Sequence, residues 1–211
     1  MCPEERPKAH PAAPEPTSLR RPDRRVEKSK RALAEALVRL MIDKGYDAIT
    51  VADIAERANV GRSTFYAHYA DKEDLLQESL QGLRQHLTAA TPRRPDVDAP
   101  VHPALAFSLP MLLHVQEVRE LFRALARNGH GAPVHAQLHV MLTDLVRDRL
   151  EEQPGARVPP PAVIAEMIVG AFLAAALWWM NGHENLSAEE VDRTFRSLVS
   201  PGLAAYPAGR P

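Results

Sequence analysis

The spacing of apolar residues along this chain predicts helices throughout. In residues 28–44, apolar side chains recur every three to four positions, which is the period of an amphipathic helix (Ala32, Leu33, Ala36, Leu37, Leu40 and Met41). No run of alternating β-branched residues is long enough to predict a strand. The pattern therefore indicates an all-α protein.

Two short helices are predicted after the first. Thr50 and Asp53 form a Thr-x-x-Asp pattern that is typical of a helix start. This helix is expected to end near Asn59, where an Asn-Val-Gly turn precedes the segment RSTFYAHY. Two aromatic residues in that segment are four positions apart and are expected to point back into the core (Phe65 and Tyr69). The arrangement predicts a helix-turn-helix.

Beyond residue 90, the apolar spacing predicts a larger helical part. Its helices are expected at residues 104–115, with a break at Pro110, and at residues 118–127, 134–151 and 161–181. Ser187 and Glu190 form a second capping pattern. It starts a last helix, which Pro201 and Gly202 are expected to end.

Segment 161–180 is close to the length and apolarity that a membrane span needs. However, it contains a carboxylate, Glu166, and is poor in leucine, and no second such segment accompanies it. We therefore expect a buried helix of a soluble protein rather than a membrane anchor.

Proline-rich segments divide the chain. Six of the 19 prolines lie in residues 1–27, where few apolar residues are present to offset the entropy of ordering. We therefore predict a disordered tail at residues 1–23, a helix-turn-helix domain at residues 24–76 and a helical domain at residues 77–205. The start of the chain has no export-signal pattern, which favours a cytoplasmic protein.

Composition and charge narrow the possible chemistry. The formal net charge of −1 excludes a uniformly basic nucleic-acid-binding surface, and the single cysteine, Cys2, excludes a disulfide framework. Charge is nevertheless segregated, because residues 20–31 contain seven basic and two acidic residues. This segment, with Arg25 and Lys28, predicts an arm that crosses a DNA backbone or enters a minor groove. A solubilising tail is the alternative.

The second helix of the helix-turn-helix carries side chains suited to DNA. Its hydroxyls, guanidinium and imidazole can donate to phosphates and base edges (Arg62, Ser63, Thr64, Tyr66 and His68). Lys72, at the start of the next helix, is expected to hold a phosphate. A helical hairpin with an ordinary polar surface is the alternative.

These residues also carry a family resemblance. Residues 28–76, which include ITVADIAERANVGRSTFYAHYADKEDLL, resemble the amino-terminal DNA-binding domain of TetR-type transcriptional repressors. The resemblance implies base and phosphate contacts by Arg62 and Ser63, and phosphate contacts by the hydroxyls of Thr64 and Tyr66. It also implies that Lys72 pins the DNA backbone and that the hydroxyl or backbone amide of Thr50 approaches a phosphate. For His68, a structural place between helices is an equal alternative to a phosphate contact.

The resemblance further implies an effector cavity among the carboxy-terminal helices and a homodimer formed by the last two helices as a four-helix bundle. Apolar and adaptable residues are candidates for the cavity, although they would also make an ordinary core (Phe107, Met111, His114, Phe122, Met141, Met167 and Phe172). Small and aromatic residues are candidates for the dimer interface (Gly170, Ala174, Trp178 and Phe195). An intrachain core helix is the alternative for the second set.

We therefore expect a transcriptional regulator, a ligand-responsive repressor, with three partners: a double-stranded DNA operator, a small-molecule effector and a second copy of the chain. A small α-helical enzyme and a protein-interaction bundle are the alternatives. The sequence contains no phosphate-binding glycine loop or nucleophile elbow, and no cofactor is expected. His135 and His139 are one turn apart, but Ala136 replaces the glutamate of the metalloprotease pattern, so a solvated pair is favoured over a metal site.

Overall fold

The computed structural model of the chain describes residues 24–90, 102–127, 131–152, 159–183 and 185–206. Its regular elements in these ranges are α-helices and one short 3-10 helix, which confirms the all-α prediction. The tail predicted at residues 1–23 lies outside the described residues. In chain order the helices are α1 (Arg24–Lys44), α2 (Val51–Arg57), α3 (Arg62–Tyr66), α4 (Lys72–Ala90), the 3-10 helix (Pro103–Leu105), α5 (Ser108–Glu117), α6 (Arg119–Arg127), α7 (Ala132–Glu151), α8 (Pro161–Met180) and α9 (Ala188–Ala204).

Helices α1, α2 and α3 and the first turns of α4 enclose an amino-terminal core. Its centre is formed by side chains with almost no exposed surface (Leu33, Leu37, Ile54, Phe65 and Leu75). Phe65 and Tyr69 both belong to this core, as the sequence predicted, and their ring centroids lie 5.7 Å apart. Burial of these two rings holds α3 and the residues after it against the rest of the domain.

Helix α4 is shared by two hydrophobic cores. Leu75 and Leu76, near its start, are buried in the amino-terminal core, and Leu87, near its end, is buried in the carboxy-terminal core. Leu80, between them, packs against both. The domain boundary that we predicted after residue 76 falls inside this helix, so the two cores are connected by a continuous helix there.

Two prolines behave differently from the sequence-based expectation. Pro110 does not break a helix, because it lies in the first turn of α5, where a backbone N–H has no helical acceptor. Pro201 does not end the last helix, since α9 continues to Ala204. Leu203 and Tyr206, beyond the proline, are buried, and this burial offsets the hydrogen bond that Pro201 cannot donate.

Helix α8 is the central helix of the carboxy-terminal core. Its inner side is buried, mainly against α7 and α9 (Ala165, Ile168, Val169, Phe172, Leu173, Ala176 and Trp179). By length and composition, α8 also qualifies as a membrane span, although 44% of its most apolar window is buried within the chain. The expected core role therefore accounts for one side of α8 only.

A buried polar network, which sequence analysis missed, connects α5 to α9. The Ser108 hydroxyl donates to Asp192 Oδ1 at 2.5 Å, and Arg196 Nε lies 2.9 Å from Asp192 Oδ2. Burial raises the pKa of the Asp192 carboxyl, while Ser108 and Arg196 oppose that shift. The only local signal was the spacing of four between Asp192 and Arg196. The network fixes the start of α5 on α9.

Gly131 marks a close approach of the residue before α7 to α6. A Cβ at this position would lie 2.9 Å from the Leu125 Cβ and 3.0 Å from the Leu125 carbonyl oxygen. We expect Gly131→Ala to lower the free energy of unfolding by about 1–3 kcal/mol, because backbone atoms cannot move aside as the end of a side chain can. Chemical denaturation of the full chain measures this change.

Gly82→Ala is the matched control for this substitution. Gly82 lies within α4, and a Cβ there would meet no atom within 4 Å. This variant should gain about 0.5–1 kcal/mol, since alanine loses less conformational entropy than glycine in a helix. A Gly131→Ala protein as stable as the wild type would contradict the tight contact between Gly131 and α6.

Candidate nucleic-acid interface

The exposed side of α3 is the centre of the candidate interface. Phe65 holds the helix to the core, and Arg62, Ser63 and Tyr66 lie on the exposed side. Tyr66 is 59% exposed, although its ring packs edge-on against Phe65. No hydrogen bond or ion pair within the described ranges involves the Arg62 guanidinium. One helix face thus brings together three of the predicted DNA contacts.

Thr64 and His68 lie at the edge of this face. Both are half-buried. The His68 ring lies 6.2 Å from the ring of Tyr69, which is a core residue. Because His68 and Tyr69 are adjacent in sequence, this contact is compatible with both roles of His68, the structural one and the phosphate contact, and both stay predictions.

The turn before α3 depends on Asn59 rather than on Gly61. Asn59 has φ 53°, in the left-handed region that asparagine tolerates better than most residues, whereas Gly61 has φ −71°. The backbone N–H of Val60 closes the turn by donating to the Ala55 carbonyl at 3.0 Å. Gly61 is the N-cap of α3, and its carbonyl accepts the first hydrogen bonds of that helix.

The capping box predicted at the start of α2 is present. The Asp53 N–H donates to Thr50 Oγ1 at 3.2 Å. In return, the hydroxyl and the N–H of Thr50 donate to Asp53 Oδ2 at 2.6 and 2.7 Å. Both Thr50 donors that the resemblance assigned to a phosphate are therefore used within the chain. Thr50 starts α2, a phosphate there would have to compete with Asp53, and the expected phosphate contact of Thr50 stays a prediction.

Ion pairs fix α1 against α2. Lys44 Nζ lies 2.7 Å from Asp53 Oδ2, and Arg57 Nη2 lies 2.7 Å from Asp43 Oδ2. The hydrogen bonds from Lys44 and Thr50 hold the pKa of Asp53 well below its usual range. Lys44 and Arg57 thus have carboxylate partners within the domain.

The ammonium of Lys72 contacts backbone carbonyls of the turn between α1 and α2. Its Nζ donates to three backbone carbonyls, those of Ile49 at 3.1 Å, Tyr46 at 3.2 Å and Asp47 at 3.4 Å. An ammonium has three N–H donors, and these acceptors use all of them. A phosphate at Lys72 would have to compete with these carbonyls, and the expected phosphate contact of Lys72 stays a prediction.

The start of α1 supplies exposed positive charge. Arg25 and Lys28 are both exposed, as the predicted arm requires. Lys30 pairs with Glu78 of α4 at 2.9 Å, and Arg31 pairs with Glu35 at 2.8 Å. The basic segment therefore contains two ion pairs as well as the exposed side chains of Arg25 and Lys28.

The carboxy-terminal helices reach the amino-terminal core through α6 and α7. Val134, in the first turn of α7, is buried in that core, and Leu121 and Leu125 of α6 pack against it. Arg84 of α4 also forms an ion pair with Asp148 of α7 at 2.5 Å. A displacement of α6 or α7 would therefore be transmitted to the helix-turn-helix.

The candidate effector residues differ in burial. Four are buried in the carboxy-terminal core (Phe107, Met111, Met141 and Phe172). His114 and Phe122 are half-buried, and burial lowers the pKa of His114. Met167 is 67% exposed on the outer side of α8, so its assignment to a cavity is wrong. Phe107 also lines a recess of about 10 Å³, which has room for about one water molecule.

The outer side of α8 carries an exposed stripe of uncharged residues, here called the α8 stripe (Val163, Met167, Gly170, Ala171, Ala174 and Trp178). On α9, Leu198 is 76% exposed. Gly170, Ala174 and Trp178 are thus on the surface, where an interface requires them. Phe195 is not, because it is buried against Phe172 with 5.5 Å between ring centroids, so its assignment to the dimer interface is wrong.

His139 has a carboxylate partner rather than a histidine partner. Its Nε2 lies 3.3 Å from Glu166 Oε2, which connects α7 to α8, while His135 is exposed. In the part of the chain that the structure describes, no three His, Cys, Asp or Glu side chains are grouped so that they could hold a metal ion. The contact of His139 is that of an interhelical pair.

Comparison with known proteins identifies similar sequences and structures. Residues 33–79 match the model of a family described as bacterial regulatory proteins, tetR family. YxbF of Bacillus subtilis, an uncharacterised HTH-type transcriptional regulator, is 42% identical over 74 residues, which are 33% of this chain and only 20% of that protein. The HTH-type transcriptional activator FasR of Mycolicibacterium smegmatis is 25% identical over 184 residues, 81% of each chain. The crystal structure of a TetR transcriptional regulator from Streptococcus agalactiae 2603V has a TM-score of 0.58 and 26% identity, over 83% of this chain and 96% of that one.

The ion pair of Asp53 gives a pH-dependent prediction. A carboxyl whose pKa is lowered in the folded chain contributes stability above its ordinary pKa of 3.8, and this contribution is lost as the pH falls toward the folded value. Asp53→Ala should therefore melt at a lower temperature than the wild type near neutral pH, and this difference should shrink below about pH 4. Melting followed by circular dichroism measures the difference.

Glu56→Ala is the control, since Glu56 is an exposed carboxylate on the same helix. Its melting temperature should stay close to that of the wild type at every pH. A difference for Asp53→Ala that is the same at about pH 3 as at neutral pH would contradict the role of the Asp53 charge.

Proposed function

This chain belongs to the TetR family of bacterial regulatory proteins, and on that premise we propose that it is a ligand-responsive repressor that binds a palindromic operator as a homodimer. In this proposal residues 24–76 bind DNA, and residues 77–205 bind the effector and the second subunit. The observation that carries it is the exposed face of α3, on which Arg62, Ser63 and Tyr66 lie together. A protein that acts on chromosomal operators works in the cytoplasm.

In the proposed complex, α3 enters the major groove. Arg62, at the first position of the helix, is placed to read a guanine through its O6 and N7 atoms, which accept a bidentate pair of hydrogen bonds from a guanidinium. Ser63 and Tyr66 donate their hydroxyl protons to phosphates on either side. Arg25 and Lys28 add sequence-independent attraction to the backbone.

The α8 stripe supports the homodimer. Monomeric proteins rarely expose a long contiguous apolar surface, and a two-fold interface covers the same surface on both subunits. Gly170 has no atom within 4 Å of the place where a Cβ would lie, so a partner helix can approach it closely. A dimer with its two α3 helices about 34–36 Å apart reaches successive major grooves on one face of the DNA.

For the effector, we propose a site within the carboxy-terminal core beside Phe107, Met111 and Phe172. A ligand that enters this packed core has to displace helices, and α6 and α7 are the ones that contact the amino-terminal core. Such a ligand lowers operator affinity by its differential affinity for the two arrangements. We propose repression because occupancy of the operator is sufficient to produce it. The relative FasR is named an activator, which is the alternative outcome of operator binding.

Arg62→Ala tests the base contact. Selection of bound duplexes from a random library first defines the operator of the wild type. The variant should then lose preference at one position in each half-site, with a loss of about 1–3 kcal/mol against the selected base, because the bidentate contact disappears. Binding titrations on the operator and on single-base variants measure this loss.

Arg193→Ala is the control, since it removes one exposed positive charge from α9, far along the chain from α3. It should bind the operator with unchanged base preference. Wild-type preference in Arg62→Ala would contradict the groove assignment. Salt-insensitive binding by the wild type would instead favour the two other functions considered from the sequence, a small helical enzyme or a protein-interaction bundle.

Ala174→Arg tests the proposed dimer. The α8 stripe surrounds Ala174 with uncharged side chains, so two arginines would be buried without partners near the two-fold axis. The variant should sediment as a monomer, and its operator affinity should fall by about a hundredfold or more, because each subunit then binds its half-site independently. Sedimentation and binding titration measure the two effects.

Ala89→Arg is the matched control, because Ala89 is an exposed alanine near the end of α4. It should remain dimeric and bind normally. A monomeric wild type, or a dimeric Ala174→Arg protein with normal binding, would rule out the α8 stripe as the interface.

A further inference from the structure

We propose that His183 is a positioning residue of the homodimer interface: its imidazole stacks on the exposed indole of Trp178 and holds that ring in the orientation in which it contacts the second subunit. The proposal rests on the proposed homodimer, because Trp178 belongs to the α8 stripe.

The rings of Trp178 and His183 lie face to face. Their centroids are 3.8 Å apart, and their planes differ by 16°. The Nδ1 of His183 lies 2.9 Å from the Trp178 carbonyl oxygen, and Nδ1 is the donor because a carbonyl can only accept. The imidazole is therefore held at one edge by the backbone of the residue whose ring it covers.

The turn after α8 places the imidazole over the indole. Gly182 has φ 109°, a value that residues with a side chain rarely adopt. On either side of it, the Asn181 N–H donates to the Leu177 carbonyl at 3.1 Å, and the His183 N–H donates to the Trp179 carbonyl at 3.3 Å. Backbone hydrogen bonds at the end of α8 thus fix the position of His183 within one subunit.

An exposed indole needs such a support more than a buried one does. Trp179 is 1% exposed and donates its Nε1 proton to the Leu186 carbonyl, so the core fixes its ring. Trp178 is 50% exposed, and a side chain at a helix surface can adopt several rotamers. Selection of one rotamer costs free energy when an interface forms. The stack on His183 reduces this cost, because it selects the rotamer before the subunits meet.

Trp178 lies away from the small residues of the α8 stripe. Gly170 and Ala174 are the positions at which two α8 helices can approach each other most closely. Trp178 lies eight and four residues further along, which is about 12 and 6 Å of helix. Two helices that cross at an angle separate with distance from the crossing point, so a large side chain is needed there. The indole of Trp178, held by His183, fills this space.

The decisive variants are His183→Ala and His183→Asn in the full chain. His183→Ala loses both the ring and the donor, whereas His183→Asn keeps an N–H for the Trp178 carbonyl but has no ring. We expect both variants to raise the dissociation constant of the dimer about tenfold, because each subunit then has to order a free indole. Sedimentation over a range of protein concentrations measures this constant. His86→Ala, which removes an exposed histidine of α4, is the matched control and should leave it unchanged.

A double-mutant cycle separates positioning of the indole from a general effect on α8. Trp178→Ala should weaken the dimer more than His183→Ala does, because it removes the contact itself. In the Trp178→Ala protein, the added His183→Ala should change the dissociation constant less than about twofold, since no indole is left to orient. If His183 only stabilised the end of α8, its loss would weaken the dimer equally in both proteins.

The stack is also measured without the dimer, in the Ala174→Arg protein. Carbon–proton spectra of the protein with isotope-labelled histidine record the His183 imidazole, whose signal is assigned by its loss in His183→Ala. The ring current of an indole shifts protons above its face upfield. The His183 imidazole protons should show this shift, and Trp178→Ala should remove it.

Three results would overturn the proposal for a protein that dimerises. They are wild-type dimer affinity in His183→Asn, equal effects of His183→Ala with and without Trp178, and no upfield shift of the His183 protons. A monomeric wild type would overturn the proposed homodimer and this proposal with it, and the upfield shift would then still show that the stack exists. If His183→Ala does not fold, His183→Asn supplies the same comparison with the hydrogen bond at the end of α8 retained.

Discussion

The continuity of α4 through both hydrophobic cores is the constraint on which the rest of the structure depends. Its first turns belong to the core that fixes α3, its later turns belong to the core that contains the candidate effector residues, and Leu80 packs against both. Backbone hydrogen bonds make a helix of this length stiff. The helix-turn-helix therefore cannot change its orientation unless the packing of α4, or of the α6 and α7 contacts beside it, changes in the carboxy-terminal core.

Within the helix-turn-helix, some hydrogen-bond donors and cations contact groups inside the domain, and others are exposed. Lys44 forms an ion pair with Asp53, and the Thr50 hydroxyl donates to the same carboxylate. The Lys72 ammonium donates to backbone carbonyls. A phosphate that approached these donors would have to compete with their carbonyl and carboxylate acceptors. The side chains of Arg62, Ser63 and Tyr66, in contrast, are exposed on α3. With a formal net charge of −1, the chain has little general attraction to DNA, so this small set and the start of α1 must provide it.

The sequence predicted most of the fold because its strongest signals are local. Both capping boxes, at Thr50 and Ser187, involve residues three positions apart, and the structure confirms both. The partners of Lys72 lie 23 to 26 positions earlier in the chain, so no local pattern could show that its ammonium is used internally. Met167 could not be placed from its spacing either, because apolar residues lie on nearly all of the surface of α8, and their spacing does not distinguish core from surface.

On α9, too, the spacing of apolar residues does not distinguish core positions from surface positions. Phe195 and Leu198 share one apolar stripe in sequence, yet one is core and the other surface, because α9 packs against α5 and α8 on one side only. In the proposed dimer the outer sides of α8 and α9 are held by the partner, and the Ser108, Asp192 and Arg196 network ties α5 to this fixed pair. In the proposed mechanism, an effector that opened the core would work against helices that the partner holds in place. The displacement would then fall on α6 and α7, which contact the amino-terminal core, so dimerisation would give the proposed coupling its direction.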